Sequence, residues 1–339
     1  MTAIPSLLKS LDVSLFDRSA RLRMEFTGAK AAESLTGLVT NDVLALRGGD
    51  GLYACALTVK GRVIADVRIL ALSDESGAVT AMLVDSNVAA GVGFAAMIRK
   101  YVNPRLAKYV DVTATSACFT LDGSGSTELL RMLGADVNVV REVAEGAEFT
   151  HRIISLGDVT VRLVRVPDLA SPHTFDLHLP HNASAQIMVA LTAAGAVVKG
   201  DVEWHRRRVA AGRPEWGADM DESTLAQEAN MDALQAISYR KGCYTGQETV
   251  ARVHFRGHVN RTLRRVQYVD LSVPPLGAPL LTGEASQVGD ARSSAMDAGG
   301  AQIGIAMLRR EVTDGATLAW QSDDGASHVV RVIGNADAA

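Results

Sequence analysis

The chain has 339 residues, 47% hydrophobic and 21% charged, which allows sizeable cores and excludes a disordered or fibrous protein. Its net charge of -4 and pI near 6.1 argue against a surface coated for nucleic acid, while leaving room for a local basic patch. Three cysteines, Cys55, Cys118 and Cys243, form no Cys-x-x-Cys pair and suit no disulfide framework, so a reducing, cytoplasmic setting is expected. Met1 to Phe16 carries Lys9 and Asp12 and no long apolar run, so no secretory signal is expected. Nor is there a stretch of about 20 uncharged apolar residues to span a membrane.

In chain order, residues 29–38 read as a short helix ending in Val39-Thr40-Asn41-Asp42-Val43. Residues 52–57 and 63–72 are apolar strands joined by the turn Val59-Lys60-Gly61-Arg62. A strand at 80–84 leads into a helix over 87–101. Residues 110–121 alternate as one half-buried strand, followed by a helix through Leu133. Strands follow at 160–166 and 174–179, with Pro167 and Pro172 punctuating the link. Helices at 182–194 and 202–211 stop at Gly195 and Gly212. This irregular interleaving with hairpins predicts α+β layers rather than a doubly wound parallel sheet.

From about Leu263 only strand-like pieces remain, at 263–269, 302–308, 318–321 and 328–333. They predict a small all-β domain over 263–339, after a larger one over 1–262. Residues 283–300, rich in Gly, Ser, Ala and Asp, read as a long mobile loop within it.

The densest chemistry lies in Lys241-Gly242-Cys243-Tyr244-Thr245-Gly246-Gln247-Glu248. Ala236 to Tyr239 reads as a strand, 240–245 as a loop and 246–254 as a helix with Val250 and Val253 inward. Cys243 then precedes a helix N-terminus, where free N–H groups and the helix dipole stabilise an anion. Arg240, Lys241 and Arg252 add positive charge, which favours thiolate. Gly242 and Gly246 let the backbone bend and approach a ligand. The plain alternative is a buried structural cysteine in a glycine-containing turn.

The eight-residue segment resembles the signature of the YgfZ family, folate-binding relatives of the glycine-cleavage aminomethyltransferase that act in assembly or repair of iron–sulfur enzymes. Leu35 to Val43, Gly61 to Asp66, Arg99 to Val102, Arg208 to Pro214 and Gly304 to Arg309 resemble further segments of that family, in the same order. The resemblance implies a ring-like folate-binding aminomethyltransferase-type module followed by a C-terminal antiparallel β-barrel. It implies tetrahydrofolate, or a one-carbon or polyglutamylated derivative, as cofactor, with Cys243 as the reactive residue. Asn41, Asp42, Tyr101, Arg208, Trp216, Lys241, Gly242, Tyr244, Gly246, Gln247, Glu248 and Arg252 become candidates for holding it. Tyr101 equally suits packing at a helix end, Trp216 a core position, and Asn41-Asp42 a helix stop. The implied partners are folate and iron–sulfur enzymes or their assembly proteins.

The aminomethyltransferase needs an acid beside the reacting folate nitrogen. In the segment read as equivalent, residues 84–93, no acid follows Asp85 until Asp111, so an enzymatic role stays open. A folate-dependent aminomethyl- or methyl-transferase and a non-catalytic scaffold or RNA-modification-related protein are the alternatives. The basic run Arg252, His254, Arg256, His258, Arg261, Arg264 and Arg265 suits a solvated face, a site for a polyglutamate tail, or a nucleic-acid surface. Only Phe255 offers a stacking ring there, so nucleic acid is not expected. His173 and His178 are an odd step apart and point to opposite faces of one strand, so with His181 they predict no metal site.

Overall fold

The structure is a computed structural model, and it describes residues 11–169, 171 and 173–336. Residues 1–10 and Pro172, on which two of the readings above fall, lie outside that range. The chain forms two compact units, one drawn from 1–20, 112–167 and 171–201, the other from 21–111, 168–170 and 202–339.

Along the chain, β1 (Ser14–Asp17) belongs to the first unit, and β2 (Leu22–Thr27) opens the second. Helix α1 (Ala31–Thr36) is followed by β3 (Gly51–Leu57), β4 (Val63–Ser73), β5 (Val79–Ser86), α2 (Val88–Tyr101) and β6 (Lys108–Asp111). The chain then returns to the first unit with β7 (Ser116–Asp122), α3 (Ser126–Met132), α4 (Val137–Glu145), β8 (His151–Leu156) and β9 (Val159–Arg165). That unit ends with β10 (Thr174–Pro180), α5 (Ser184–Ala193) and β11 (Val197–Lys199). Helices α6 (Asp201–Ala210) and α7 (Gln247–Arg256) precede β12 (Arg261–Tyr268) and β13 (Pro279–Leu281). The last strands are β14 (Gln287–Met296), β15 (Gln302–Arg309), β16 (Thr317–Gln321) and β17 (Ser327–Asn335).

In the first unit a six-stranded sheet runs in the order β11-β1-β7-β10-β9-β8, antiparallel except for the parallel β1–β11 pair. The two-residue period of a strand sends Leu15, Phe119, Leu121, Phe175, Leu177 and Leu163 to one face. There they pack with Leu129, Leu130, Val140, Val143, Ile187 and Leu191 from α3, α4 and α5. The opposite face carries Cys118, Thr120, Asp122, Asp176 and His178, which are also buried.

The second unit holds an antiparallel sheet in the order β3-β4-β5-β2-β6. Ala54, Ala65, Val67, Ile69 and Val84 form its apolar face against Ala90, Phe94, Met97 and Ile98 of α2. Its other face carries Arg23, Tyr53, Cys55, Arg68 and Asp85, all buried. The C-terminal strands close into an antiparallel barrel in the order β12-β15-β14-β13-β16-β17, filled by Val266, Tyr268, Leu308, Trp320 and Val332. Closure leaves no free edge.

The expected α+β body and terminal β-barrel are therefore present, with three local corrections. Residues 110–121 are not one strand: β6 and β7 lie in different units, separated by a 3-10 turn at Thr113–Thr115. Alternation does not register a change of hydrogen-bonding partner. Residues 283–300 are not one loop, because β14 occupies most of them. Small residues suit that strand: a Cβ on Gly289 would lie 2.2 Å from the Met307 carbonyl oxygen. Ala236 to Tyr239 forms no strand, and its backbone bonds instead to the loop after α1.

Phe94 is the fully buried aromatic through which α2 grips its sheet. Phe94→Ala is expected to cost about 3–5 kcal/mol, read as a lower urea midpoint at unchanged slope.

Candidate functional site: the Cys243 loop and Asp66

The loop is built around one ammonium group. Lys241 Nζ donates to the carbonyl oxygens of Thr36 (2.5 Å), Val39 (2.6 Å) and Asn41 (2.9 Å). Its three donors thereby meet carbonyls at and just beyond the end of α1, where helix carbonyls lack intrahelical partners. Burial lowers the Lys241 pKa to about 8, with Asp42 pulling it back, so the group is still charged at neutral pH. The same ammonium lies 4.8 Å over the ring of buried Tyr244.

Neighbouring bonds fasten the two segments along their length. Thr40 Oγ1 donates to the Ala236 carbonyl (2.6 Å), and Asn41 Nδ2 donates to those of Tyr53 (2.9 Å) and Gln235 (2.8 Å). Ser238 N donates to the Thr40 carbonyl and Thr245 N to that of Gly37. Asp42 caps the turn at Val43–Ala45 by accepting from Leu44 N. Asn41, Asp42, Lys241 and Tyr244 are thus brought together, and they form the mount of the loop.

Between buried Lys241 and buried Tyr244, Gly242 and Cys243 are exposed. Cys243 is therefore not the buried structural cysteine of the plain alternative; Cys55 and Cys118 are the buried ones. Gly246 then turns the chain with φ of +85°. A Cβ there would lie 2.6 Å from the Thr58 carbonyl oxygen, so only glycine lets the loop seat against the β3–β4 turn. Gln247 and Glu248 open α7, which is anchored by buried Val250 and by Gln227 Nε2 donating to the Val250 carbonyl (2.8 Å). Arg252 is exposed on α7. The Tyr239 ring stacks on His254 at 3.6 Å, and Phe255 meets both edge-on.

Tyr101 ends α2 half-exposed and lines a cavity of about 420 Å³ with Leu57, Val59, Ile64, Met97 and Thr245. Thr245 puts this cavity beside the Cys243 loop. The two other candidates lie in cross-links. Arg208 is buried, pairing with Asp219 (2.6 Å) and Glu215 (3.0 Å) and donating to Ser293 Oγ of β14 (2.6 Å). Trp216 packs on the core under α2 and donates weakly to the Val63 carbonyl (3.5 Å).

The sequence reading gave no role to Asp66, which the structure makes prominent. It lies on the polar face of the second unit's sheet, opposite Cys55 in register, and accepts from the Tyr53 hydroxyl at 2.8 Å. Burial raises its pKa, with Arg21 and the Tyr53 bond opposing. Its Oδ1 is sealed from solvent without a hydrogen-bond partner among the described residues. The Arg213 guanidinium covers the Tyr53 ring at 4.8 Å. Alongside, Asp85 is gripped by Arg21 (2.5 Å) and Arg68 (2.6 Å), and Arg68 also reaches Asp168 (3.0 Å). The available signal was an acid inside the apolar run 63–72 with Arg68 two residues on, hence on the same face.

Residues 10–238 match the GCVT N-terminal domain, so the chain belongs to that family. The resemblance read from the signature is borne out by the relatives. A protein of Escherichia coli O157:H7 described as "tRNA-modifying protein YgfZ" is 26% identical over 317 residues, 92% of this chain and 82% of that one. A Neurospora crassa protein described as an "Iron-sulfur cluster assembly factor IBA57 homolog, mitochondrial" is 27% identical over 277 residues. That match covers 79% of this chain but 57% of the longer relative. The fold is that of the glycine cleavage system aminomethyltransferase T from Bartonella henselae, with a TM-score of 0.82 at 16% identity. That likeness covers 96% of this chain and 86% of the other.

Lys241→Met should strand three carbonyls and lower stability by about 3 kcal/mol in urea unfolding. Cys243→Ser, at an exposed position, should stay within about 0.5 kcal/mol of wild type. Equal losses in the two variants would disprove the division into mount and tip.

Proposed function

We propose that this protein binds tetrahydrofolate, or a one-carbon or polyglutamylated derivative, and serves assembly or repair of iron–sulfur enzymes through the Cys243 thiol. The observation that carries this reading is the exposed thiol on a rigid mount. Packing has no need of it, and Lys241, Tyr244, Gly246 and Asn41 hold its backbone in place. An exposed sulfur can attack, be oxidised or meet iron carried by another protein, whereas Cys55 and Cys118 are buried away from such a partner. The relative named as an iron–sulfur cluster assembly factor supports the cellular role. Partners would then be iron–sulfur enzymes or their assembly proteins, in the cytoplasm. Among the described residues no helix is long and apolar enough to cross a membrane.

The polar sheet face fits a pterin. Its ring N–H and amino groups are donors, and Asp66 Oδ1 is an acceptor with no hydrogen-bond partner among the described residues. Tyr53 and Arg213 would flank the ring, and Arg252 and Arg256 on α7 would meet the carboxylates of a glutamate tail. Bound folate would supply one-carbon or redox chemistry, and Asp66 would hold or release a proton beside it.

Asp66 also favours a second reading, folate-dependent aminomethyl or methyl transfer. The acid missing from residues 84–93 has a counterpart on β4, and a raised pKa suits general acid–base work. Complementation separates the two readings. Cys243→Ser should abolish support of iron–sulfur enzyme activity in cells while tetrahydrofolate affinity by calorimetry stays within about twofold. Asp66→Asn should weaken binding and leave iodoacetamide labelling of Cys243 intact. Full complementation by Cys243→Ser, with loss in Asp66→Asn, would reject the thiol role and favour the transferase.

Tetrahydrofolate should also bind more tightly than an uncharged pterin, by a margin that shrinks as salt is raised from about 0.05 to 0.5 M. An unchanged margin would remove Arg252 and Arg256 from the tail site.

A further inference from the structure

Among the described residues, one group of three metal-ligating side chains comes together: Cys118, Asp176 and His178. It is independent of the Cys243 loop. It lies on the first unit's sheet, where β7 and β10 run antiparallel with Cys118 opposite His178 and Thr120 opposite Asp176. The same strands send Phe119, Leu121, Phe175 and Leu177 to the apolar core on the other face. Sulfur, imidazole nitrogen and carboxylate oxygen all lie within 4.8 Å of one another, with Cys118 Sγ 3.9 Å from His178 Nε2.

Three features distinguish this group from ordinary buried polarity. All three residues are more than nine-tenths buried, with exposures of 0%, 1% and 9%. Burial keeps bulk water from competing for these three donors. The spacing is also close to that of a bound ion. A tetrahedral metal about 2.0–2.3 Å from its ligands sets them roughly 3.3–3.8 Å apart, so the sulfur and imidazole at 3.9 Å are already near that spacing, and a separation at the 4.8 Å limit would close by about 1 Å. Finally, the ligands are already held. Thr120 Oγ1 donates to Asp176 Oδ1 at 2.5 Å, as an outer group orients a ligating carboxylate. Cys118 is fixed by its backbone N–H donating to Ser19 Oγ (3.1 Å).

We propose that Cys118, Asp176 and His178 bind a divalent metal ion of borderline softness, with zinc the best match to a sulfur, nitrogen and oxygen set. Binding releases the Cys118 thiol proton to solvent. The resulting thiolate and the Asp176 carboxylate neutralise the dication, and neutral His178 completes the set. Three protein ligands leave the fourth tetrahedral position for water or another small donor.

Anaerobic titration of the metal-free full chain with cobalt(II) tests this. The expected result is a thiolate-to-cobalt charge-transfer band in the near ultraviolet that saturates at one equivalent and is displaced by zinc. Cys118→Ser should abolish the band, Thr120→Ala should weaken cobalt binding by about tenfold, and Cys243→Ser should leave both unchanged. Absence of a band in the wild type overturns the site, as does a band that disappears with Cys243→Ser and survives Cys118→Ser. Should Cys118→Ser fail to fold, Asp176→Asn and His178→Gln decide, since an unchanged cobalt affinity in both rejects the assignment.

Discussion

Much of this protein's chemistry depends on where a single lysine places its charge. A short helix such as α1 ends with carbonyls that nothing within it can satisfy. The Lys241 ammonium meets the Thr36 carbonyl and two that follow it, from a segment 200 residues downstream. A cation near a helix C-terminus is also favoured by the dipole. The bond cannot form unless the downstream loop lies flat against the first one, and that fixes everything between Lys241 and α7. Cys243 gains its exposure from the same constraint, because its neighbours on either side are held down. An unanchored loop would expose a thiol in many orientations, whereas this one presents it in one.

The two sheets share a second constraint. Each has a fully apolar face against its helices and an opposite face that is buried and polar. Burial of charge is tolerated when the charges pair. In the second unit Asp85, Asp168, Arg21 and Arg68 do so, while Asp66 accepts from Tyr53 on one oxygen and meets no hydrogen-bond partner among the described residues on the other. At this atom the conflict between polarity and burial is not resolved by a hydrogen bond from the described residues. A ligand that brings donors would resolve it there. The cross-links Arg208–Asp219 and Arg208–Ser293 serve assembly, joining α6 to a barrel strand.

Hydrophobic periodicity placed α2, β3, β4, β9 and β10 closely, because these elements bury one face over several turns or pleats. It failed at residues 110–121, where the alternation continues while the strand changes sheets. It failed again at β14, whose small residues pack against neighbouring backbone and leave little hydrophobic signal. In the site, the glycines, the lysine and the cysteine of 241–248 were readable as a unit because they are contiguous. Asp66 was not, since an acid within an apolar run discloses its environment only once the strands on either side of it are known.

What the sequence determined alone was therefore local: the α+β composition, the terminal barrel strands, the Lys241 to Glu248 loop and its family resemblance. Each depends on residues close together along the chain. Tertiary structure alone decided which carbonyls Lys241 would meet, that Cys243 would be exposed while Cys55 and Cys118 were buried, and that Tyr53 would lie on Asp66. It also set Cys118 across from His178, 60 residues apart, where parity along β10 alone had argued against a cluster with His173. The physical reason is that hydrogen bonding and charge depend on distances in space. Strand register and loop closure set those distances, and neither is encoded in the spacing of residues within a single segment.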